Sequence, residues 1–284
     1  MTVAERHPLN TVFSWEPRRT TPRFLDASQF KSYDELGFFV VEQAFDPSVV
    51  AEVVGHIDPI EREFEERLRG VGGTEFIARA DEITFTTHLV ARSPHLRDFV
   101  SCPPLTDICA DLIGPDVRLY WDQAVYKKPG TEASFPWHQD NGYAFVEPQQ
   151  YLTCWIALTD ATEENGCPWV VPGLHLGGTL RHRATPTGLI CFESVEGAIP
   201  VPVEAGGIVV FSSLTPHCTG PNRSTQVRKA YIVQYAPDGA YVVQPGPDGA
   251  LCHMPADDAR RQFEVLVGGL VPGPIAAGSE VGES

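Results

Sequence analysis

The chain has 284 residues, 43% of them apolar, which is ample for a buried core and too apolar for a disordered segment. Its 37 acidic residues against 21 basic ones give a formal net charge of −16, a balance that repels nucleic acid and anionic membrane surfaces. No apolar run approaches the roughly 20 residues a bilayer-spanning helix needs, so a membrane protein of that kind is excluded.

The first residues, Met1-Thr2-Val3-Ala4-Glu5-Arg6-His7, lack the apolar centre of a signal peptide, and the expectation is a soluble cytoplasmic protein. Residues 1–25, rich in Pro, Thr and Arg, read as a flexible N-terminal arm. Gln29 to Leu36 reads as a short helix stopped by Gly37, followed by a strand, Phe38-Phe39-Val40-Val41. From Asp46, an acidic cap with Pro47 in the first turn, a second helix begins. Val49, Val50, Val53, Val54 and Ile57 mark its buried face at spacings of three and four. Pro59 is expected to kink or end it, and the charges of Glu61 to Arg69 to form a solvated helix face.

After about residue 115 the pattern changes to short strands separated by Pro and Gly. Val117–Val125, Leu152–Leu158, Trp169–Val171, Gly188–Phe192, Ile208–Ser212 and Lys229–Tyr235 are the candidates. Such spacing argues a sandwich or barrel rather than βαβ units. The Gly-, Pro-, Ala- and Glu-rich segment 268–284 reads as a flexible tail, leaving residues 26–267 as a single domain. The seven cysteines form no Cys-x-x-Cys pair and are expected as unpaired thiols in a reducing compartment.

Three residues carry the chemistry. His138 and Asp140 stand two apart in Phe135-Pro136-Trp137-His138-Gln139-Asp140-Asn141, so on a strand they share a face. His217, in Leu214-Thr215-Pro216-His217-Cys218-Thr219, follows the apolar strand Ile208–Ser212 and is expected in a loop just past its end. Two imidazoles and one carboxylate are the facial set that holds non-haem Fe(II) with positions left open, whereas a structural zinc site is closed by four protein ligands. H-x-D alone is a weak pattern. Arg228, eleven residues beyond His217 and opening a strand-like run, strengthens it, because a buried arginine can grip the far end of a dicarboxylate bidentately.

With these residues the sequence resembles the phytanoyl-CoA dioxygenase family of Fe(II)/2-oxoglutarate-dependent oxygenases, roughly from Lys31 to Gln234. The likeness rests on Lys127-Lys128-Pro129-Gly130, Pro136-Trp137-His138-Gln139-Asp140-Asn141, Trp155-Ile156-Ala157-Leu158-Thr159-Asp160, Asn165-Gly166-Cys167, Pro172-Gly173-Leu174-His175, and His217 through Arg228. It implies a mainly β fold with flanking helices around a double-stranded β-helix (a jelly roll, cupin-like), with the site at its open mouth. It implies His138, Asp140 and His217 as iron ligands, and Arg228 with Thr219 at the distal carboxylate of 2-oxoglutarate. Trp155, Gln123 and Tyr126 are implied as further cosubstrate contacts. Phe85 stands where some members place a lysine. The implied activity uses Fe(II), 2-oxoglutarate and O2 to hydroxylate an unactivated C–H of a small or medium organic substrate, a natural-product intermediate or lipid-derived acid, releasing succinate and CO2. Halogenating relatives carry a small residue at the position of Asp140, so hydroxylation is favoured here.

Other residues have plainer readings. His175 is expected to be a structural hydrogen-bonding histidine, and Trp137 a core residue. Tyr143 and Phe145 are candidate pocket walls, and His88 a candidate substrate contact. Arg181-His182-Arg183 is either a solvated loop or an anion handle at the pocket mouth. The same iron centre could instead perform desaturation, cyclisation or epoxidation, and a non-catalytic β-sandwich binding module is the alternative from another class. Substrate identity and oligomeric state stay open at this point; a small-molecule partner, not nucleic acid or membrane, is expected.

Overall fold

The computed structural model describes residues 4–17, 22–246 and 249–273. The expected tail therefore lies largely outside the described residues. Within them, Gly268 N donates to Asp116 Oδ1 at 2.8 Å. Strands dominate; two antiparallel sheets form the core, and a two-stranded and a three-stranded sheet lie beside them among the described residues. The larger has nine strands; eight run in the order Phe38–Val41, Ile208–Ser212, Leu152–Ala157, Arg228–Pro237, Val117–Lys127, Ile83–Thr87, Ala78–Arg79, Thr74–Glu75, and Glu264–Leu266 also pairs with Val117–Lys127. The smaller has four, Ile199–Pro200, Pro168–Val170, His217–Thr219 and Phe135–His138. The sheets face each other without closing into a barrel.

The central strands read as continuous apolar runs because both of their faces are covered. Successive side chains alternate. Trp155 and Ala157, Val209 and Phe211, and Ala230 and Ile232 point inward and pack with Val170 of the smaller sheet. Cys154 and Ile156, Ile208 and Val210, and Tyr231 and Val233 point outward and pack with Val50, Val53, Ile57, Ile108 and Cys109 of the helices. This two-layer pattern leaves the interior between the sheets as the place where polar groups must be functional or partnered.

The first helix, Ala27–Leu36, carries a capping box between Asp26 and Gln29, which satisfies the orphan amides of its first turn. The second runs unbroken from Pro47 to Gly70, so Pro59 does not end it. Its charge run is also not wholly solvated. Glu61 and Glu65 are buried, and both accept from Lys128 Nζ at 3.0 Å, while Thr84 Oγ1 donates to Glu61 at 2.8 Å. These carboxylates tie the helix to the sheet beneath it, which helical spacing alone does not reveal.

The described part of the N-terminal arm is docked rather than loose. Asn10 Nδ2 donates to Gly177 O at 3.0 Å and Thr179 O at 2.9 Å, and Trp15 meets His175 edge-on at 4.5 Å between ring centroids. The arm makes its own hydrogen bonds across the fold, a pairing invisible in its irregular sequence. All seven cysteines are unpaired. Among the described residues no helix is long and apolar enough to cross a membrane.

Candidate metal centre

His138 ends the strand Phe135–His138, and His217 opens the strand His217–Thr219 rather than sitting in a loop past a strand end. The two strands pair with His138 directly opposite His217. Asp140 lies not on the strand but at the start of a single turn of 3-10 helix, Asp140–Gly142. Gln139 between them keeps an extended backbone, φ −110° and ψ 145°, so Asp140 still returns to the face of His138.

The result is one cluster. Asp140 Oδ1 is 3.9 Å from His138 Nε2 and 3.8 Å from His217 Nε2, and the two ring centroids are 4.1 Å apart. A single ion with bonds of about 2.1 Å would bridge such separations. Each imidazole is fixed by its other nitrogen. His138 Nδ1–H donates to Pro136 O at 2.8 Å and His217 Nδ1–H to Thr215 O at 3.0 Å, which leaves both Nε2 lone pairs facing Asp140. Burial, reinforced by the His217 ring, pushes the pKa of His138 well below its ordinary value and keeps it in the neutral form a metal needs. Asp140 Oδ2 accepts from Thr153 Oγ1 at 2.5 Å, which turns Oδ1 toward the imidazoles.

A neighbouring strand opens on a buried cation. Arg228 is 1% exposed, its guanidinium carbon lies 5.2 Å from the Trp155 ring centroid, and none of its three nitrogens has a hydrogen-bond partner. Burial pulls its pKa down to about 10. A buried cation without a partner is expensive, and a carboxylate of an incoming ligand is the simplest group to offset it. Thr219, also buried, stands on the facing sheet. Two imidazoles and a carboxylate, together with a buried arginine that has no partner, fit Fe(II) and a dicarboxylate keto acid.

The remaining expected contacts divide. Gln123 and Tyr126 are three residues apart on one strand, so they cannot share a face. Gln123 is on the inner side with Val125, and its Oε1 accepts from Trp121 Nε1 at 3.3 Å. Tyr126 points to the helices and donates to Asp58 at 2.6 Å, so it is not a cosubstrate contact. Tyr143 meets the His138 ring edge-on at 5.4 Å, whereas Phe145 stacks on His7 at 4.8 Å. His88, at φ +58°, bonds Arg261 at 2.8 Å through Nε2. His175 is fully buried, with Nε2 on Asp34 O at 3.2 Å, a structural role. Trp137 is half-buried and packs on Phe192, against the cluster of Val171, Leu180 and Phe192. Arg181 and Arg183 are exposed and pair with Glu5 and Glu193, and Arg183 opens a short strand, Arg183–Thr185.

Three further residues pack around the ligands. Phe135 stacks edge-on against His138 at 4.8 Å, and Phe211 lies 4.4 Å from His217. His182 accepts from the Gln139 backbone N–H at 2.9 Å and donates through Nδ1 to Leu180 O. It thereby holds the peptide between the two ligands, and it fills the space a Cβ on Gly142 would occupy. Period-two counting could have found Phe211; Phe135 lies an odd three residues from His138, and the sequence marked His182 only as part of a basic cluster. A second grouping, Glu52, His56 and His95, lies at the surface away from the triad.

The profile of the family described as phytanoyl-CoA dioxygenase (PhyH) matches residues 33–230. A methylphosphonate hydroxylase of Gimesia maris is 32% identical over 153 residues, 53% of this chain and 57% of that protein, so the chain spans little more than half the length of that relative. A Stutzerimonas stutzeri protein named "Probable alpha-ketoglutarate-dependent hypophosphite dioxygenase" is 26% identical over 236 residues, covering 74% of this chain and 78% of its own. Among solved structures, the non-heme alpha ketoglutarate dependent carbocyclase SnoK from nogalamycin biosynthesis aligns with a TM-score of 0.65 at 24% identity, over 87% of this chain and 100% of that one. That likeness shows the double-stranded β-helix fold.

Proposed function

This chain belongs to the phytanoyl-CoA dioxygenase family, and from that premise we propose that it is an Fe(II)- and 2-oxoglutarate-dependent dioxygenase that hydroxylates a small or medium organic molecule. The observation that carries the reading is the convergence of His138, Asp140 and His217 on one point, in a fold that also holds a buried arginine with no partner. His138, Asp140 and His217 would hold the iron, and Arg228 with Thr219 would hold the far carboxylate of 2-oxoglutarate. Iron so bound, with 2-oxoglutarate and O2, supplies an oxidant able to place one oxygen atom on an unactivated C–H and the other in succinate, with loss of CO2.

The residues of the chain do the positioning. Thr153 and the two backbone carbonyls fix the three ligand atoms before any ion arrives, so little reorganisation remains to be made. Phe135, Phe211 and Tyr143 pack around the imidazoles and exclude water from them. Gln123 on the inner face is a candidate contact for either ligand. The reading takes residues 26–267 as one oxygenase domain acting in the cytoplasm, in keeping with the unpaired cysteines and the acidic surface.

The test is anaerobic addition of Fe(II) and 2-oxoglutarate to metal-free protein, followed by exposure to O2. A visible charge-transfer band on binding and succinate formation on oxygenation are expected. Iron-loaded protein that does not bind 2-oxoglutarate would remove the proposal and leave a binding module. Product mass then separates hydroxylation from desaturation or ring closure.

A further inference from the structure

Lys127 is a lysine with 0% exposure, far from the usual place of an ammonium group. It lies on the strand Val117–Lys127 directly opposite Arg228, so the two side chains leave their strands on the same side. Its Nζ donates to Gly220 O at 2.5 Å, Thr219 Oγ1 at 3.2 Å, and Thr219 O and Ala133 O at 3.4 Å. Every one of these partners is a neutral oxygen. The ammonium is thus solvated by carbonyls and a hydroxyl, yet its charge is unpaired, and the nearest charge across the strand pair is another cation.

We propose that Lys127 is a positioning residue for the far carboxylate of the cosubstrate, orienting Thr219 and adding a second positive charge beside Arg228. The inference rests on the reading of Arg228 given above. Its first part follows from donor and acceptor inventory. An ammonium has donors only, so where it meets Thr219 Oγ1 the hydroxyl must accept. The Thr219 proton is then released to point elsewhere, as a donor toward an anion held by Arg228. Its second part follows from electrostatics in a dry interior. Two like charges on facing strands raise each other's energy, and a dicarboxylate's far end relieves both at once. The depression of Lys127 to about 7, from burial and then from Arg228, is the same cost seen from the proton's side.

A purely structural lysine, one that only ties the Gly220 backbone to the strand, would make the same hydrogen bonds. The distinction lies in ligand selectivity. Protein loaded with Mn(II) in place of iron is titrated calorimetrically with 2-oxoglutarate, and with 2-oxopentanoate, which keeps the 2-oxo acid head and lacks the far carboxylate. Lys127→Met is expected to weaken 2-oxoglutarate about tenfold, the loss of one charge-assisted interaction, and to leave 2-oxopentanoate within about twofold. Equal weakening of the two ligands, or no weakening of either, overturns the proposal. Should Lys127→Met not fold, Lys127→Gln keeps a donor and removes the charge, and the same selective loss is expected; undiminished 2-oxoglutarate binding by that variant overturns the charge argument. Arg228→Ala is the control. If it too leaves 2-oxoglutarate binding intact, the reading of Arg228 fails; if it destroys selectivity while the Lys127 variants keep it, only the role of Lys127 fails.

Discussion

His217 sits directly across an antiparallel strand pair from His138, and each imidazole is turned by a hydrogen bond to the carbonyl two residues before it. The two rings therefore present the same nitrogen to Asp140. A ladder of backbone hydrogen bonds fixes their spacing more rigidly than loops could.

Because Thr153 anchors the free oxygen of Asp140, the carboxylate depends on a residue that no ion would touch. Thr153→Val is expected to weaken metal binding by roughly 10-fold, and Asp140→Ala by 100-fold or more, with parallel losses of succinate formation. Metal content after dialysis against a graded chelator measures both. Equal affinity of Thr153→Val and the parent protein would show that the hydroxyl does not orient the ligand.

Arg228 is costly to fold. Its pKa falls to about 10 in the folded state, so its charged form is disfavoured there, and the penalty is present at every pH below that value and relieved only above it. Arg228→Met is expected to abolish 2-oxoglutarate binding while raising the Tm of the ligand-free protein by about 2–4 °C. A thermal scan with and without 2-oxoglutarate reads both effects, and a lower Tm would mean the arginine has a stabilising partner.

The ion trio of Lys128 with Glu61 and Glu65 joins the long helix to the sheet. Removing the lysine leaves two largely buried carboxylates next to each other. Lys128→Ala is expected to cost about 3 kcal/mol in urea unfolding, well above the value of an exposed pair. A loss under about 1 kcal/mol would place these groups in effective contact with water.

Acid should destabilise the metal-free protein through its buried imidazoles. Burial lowers His175 and His182 to about 4 in the folded state, against 6.5 when unfolded. For bases with depressed folded values, stability is complete above 6.5 and is lost as pH falls toward 4, because only the unfolded chain takes up the protons. Asp122, raised to about 6 by burial, opposes this as a single group. Tm is expected to drop by more than about 5 °C between pH 7 and pH 4.5. Replacing His175 with Asn should flatten the part of that slope His175 owns, and an unchanged slope would assign it elsewhere.

Local chemistry in the sequence already determined a good deal. Short apolar runs bounded by Pro and Gly located the central strands to within two residues, and the spacing of His138 and Asp140 put both on one side because an extended Gln139 preserves period two even as the strand gives way to a turn. Arg228 was legible because a charged residue at the head of an apolar strand has few reasons to be there. What the tertiary structure alone decided concerns pairing between distant segments. Whether His217 begins a strand or ends a loop depends on Phe135–His138 lying beside it. Whether Glu61 and Glu65 are solvated depends on Lys128 arriving from another strand. The packing of His182 against Gly142 and the face taken by Tyr126 are likewise set by neighbours and register. Periodicity reports which side of an element is apolar; it carries no information about what the opposite element brings to meet it.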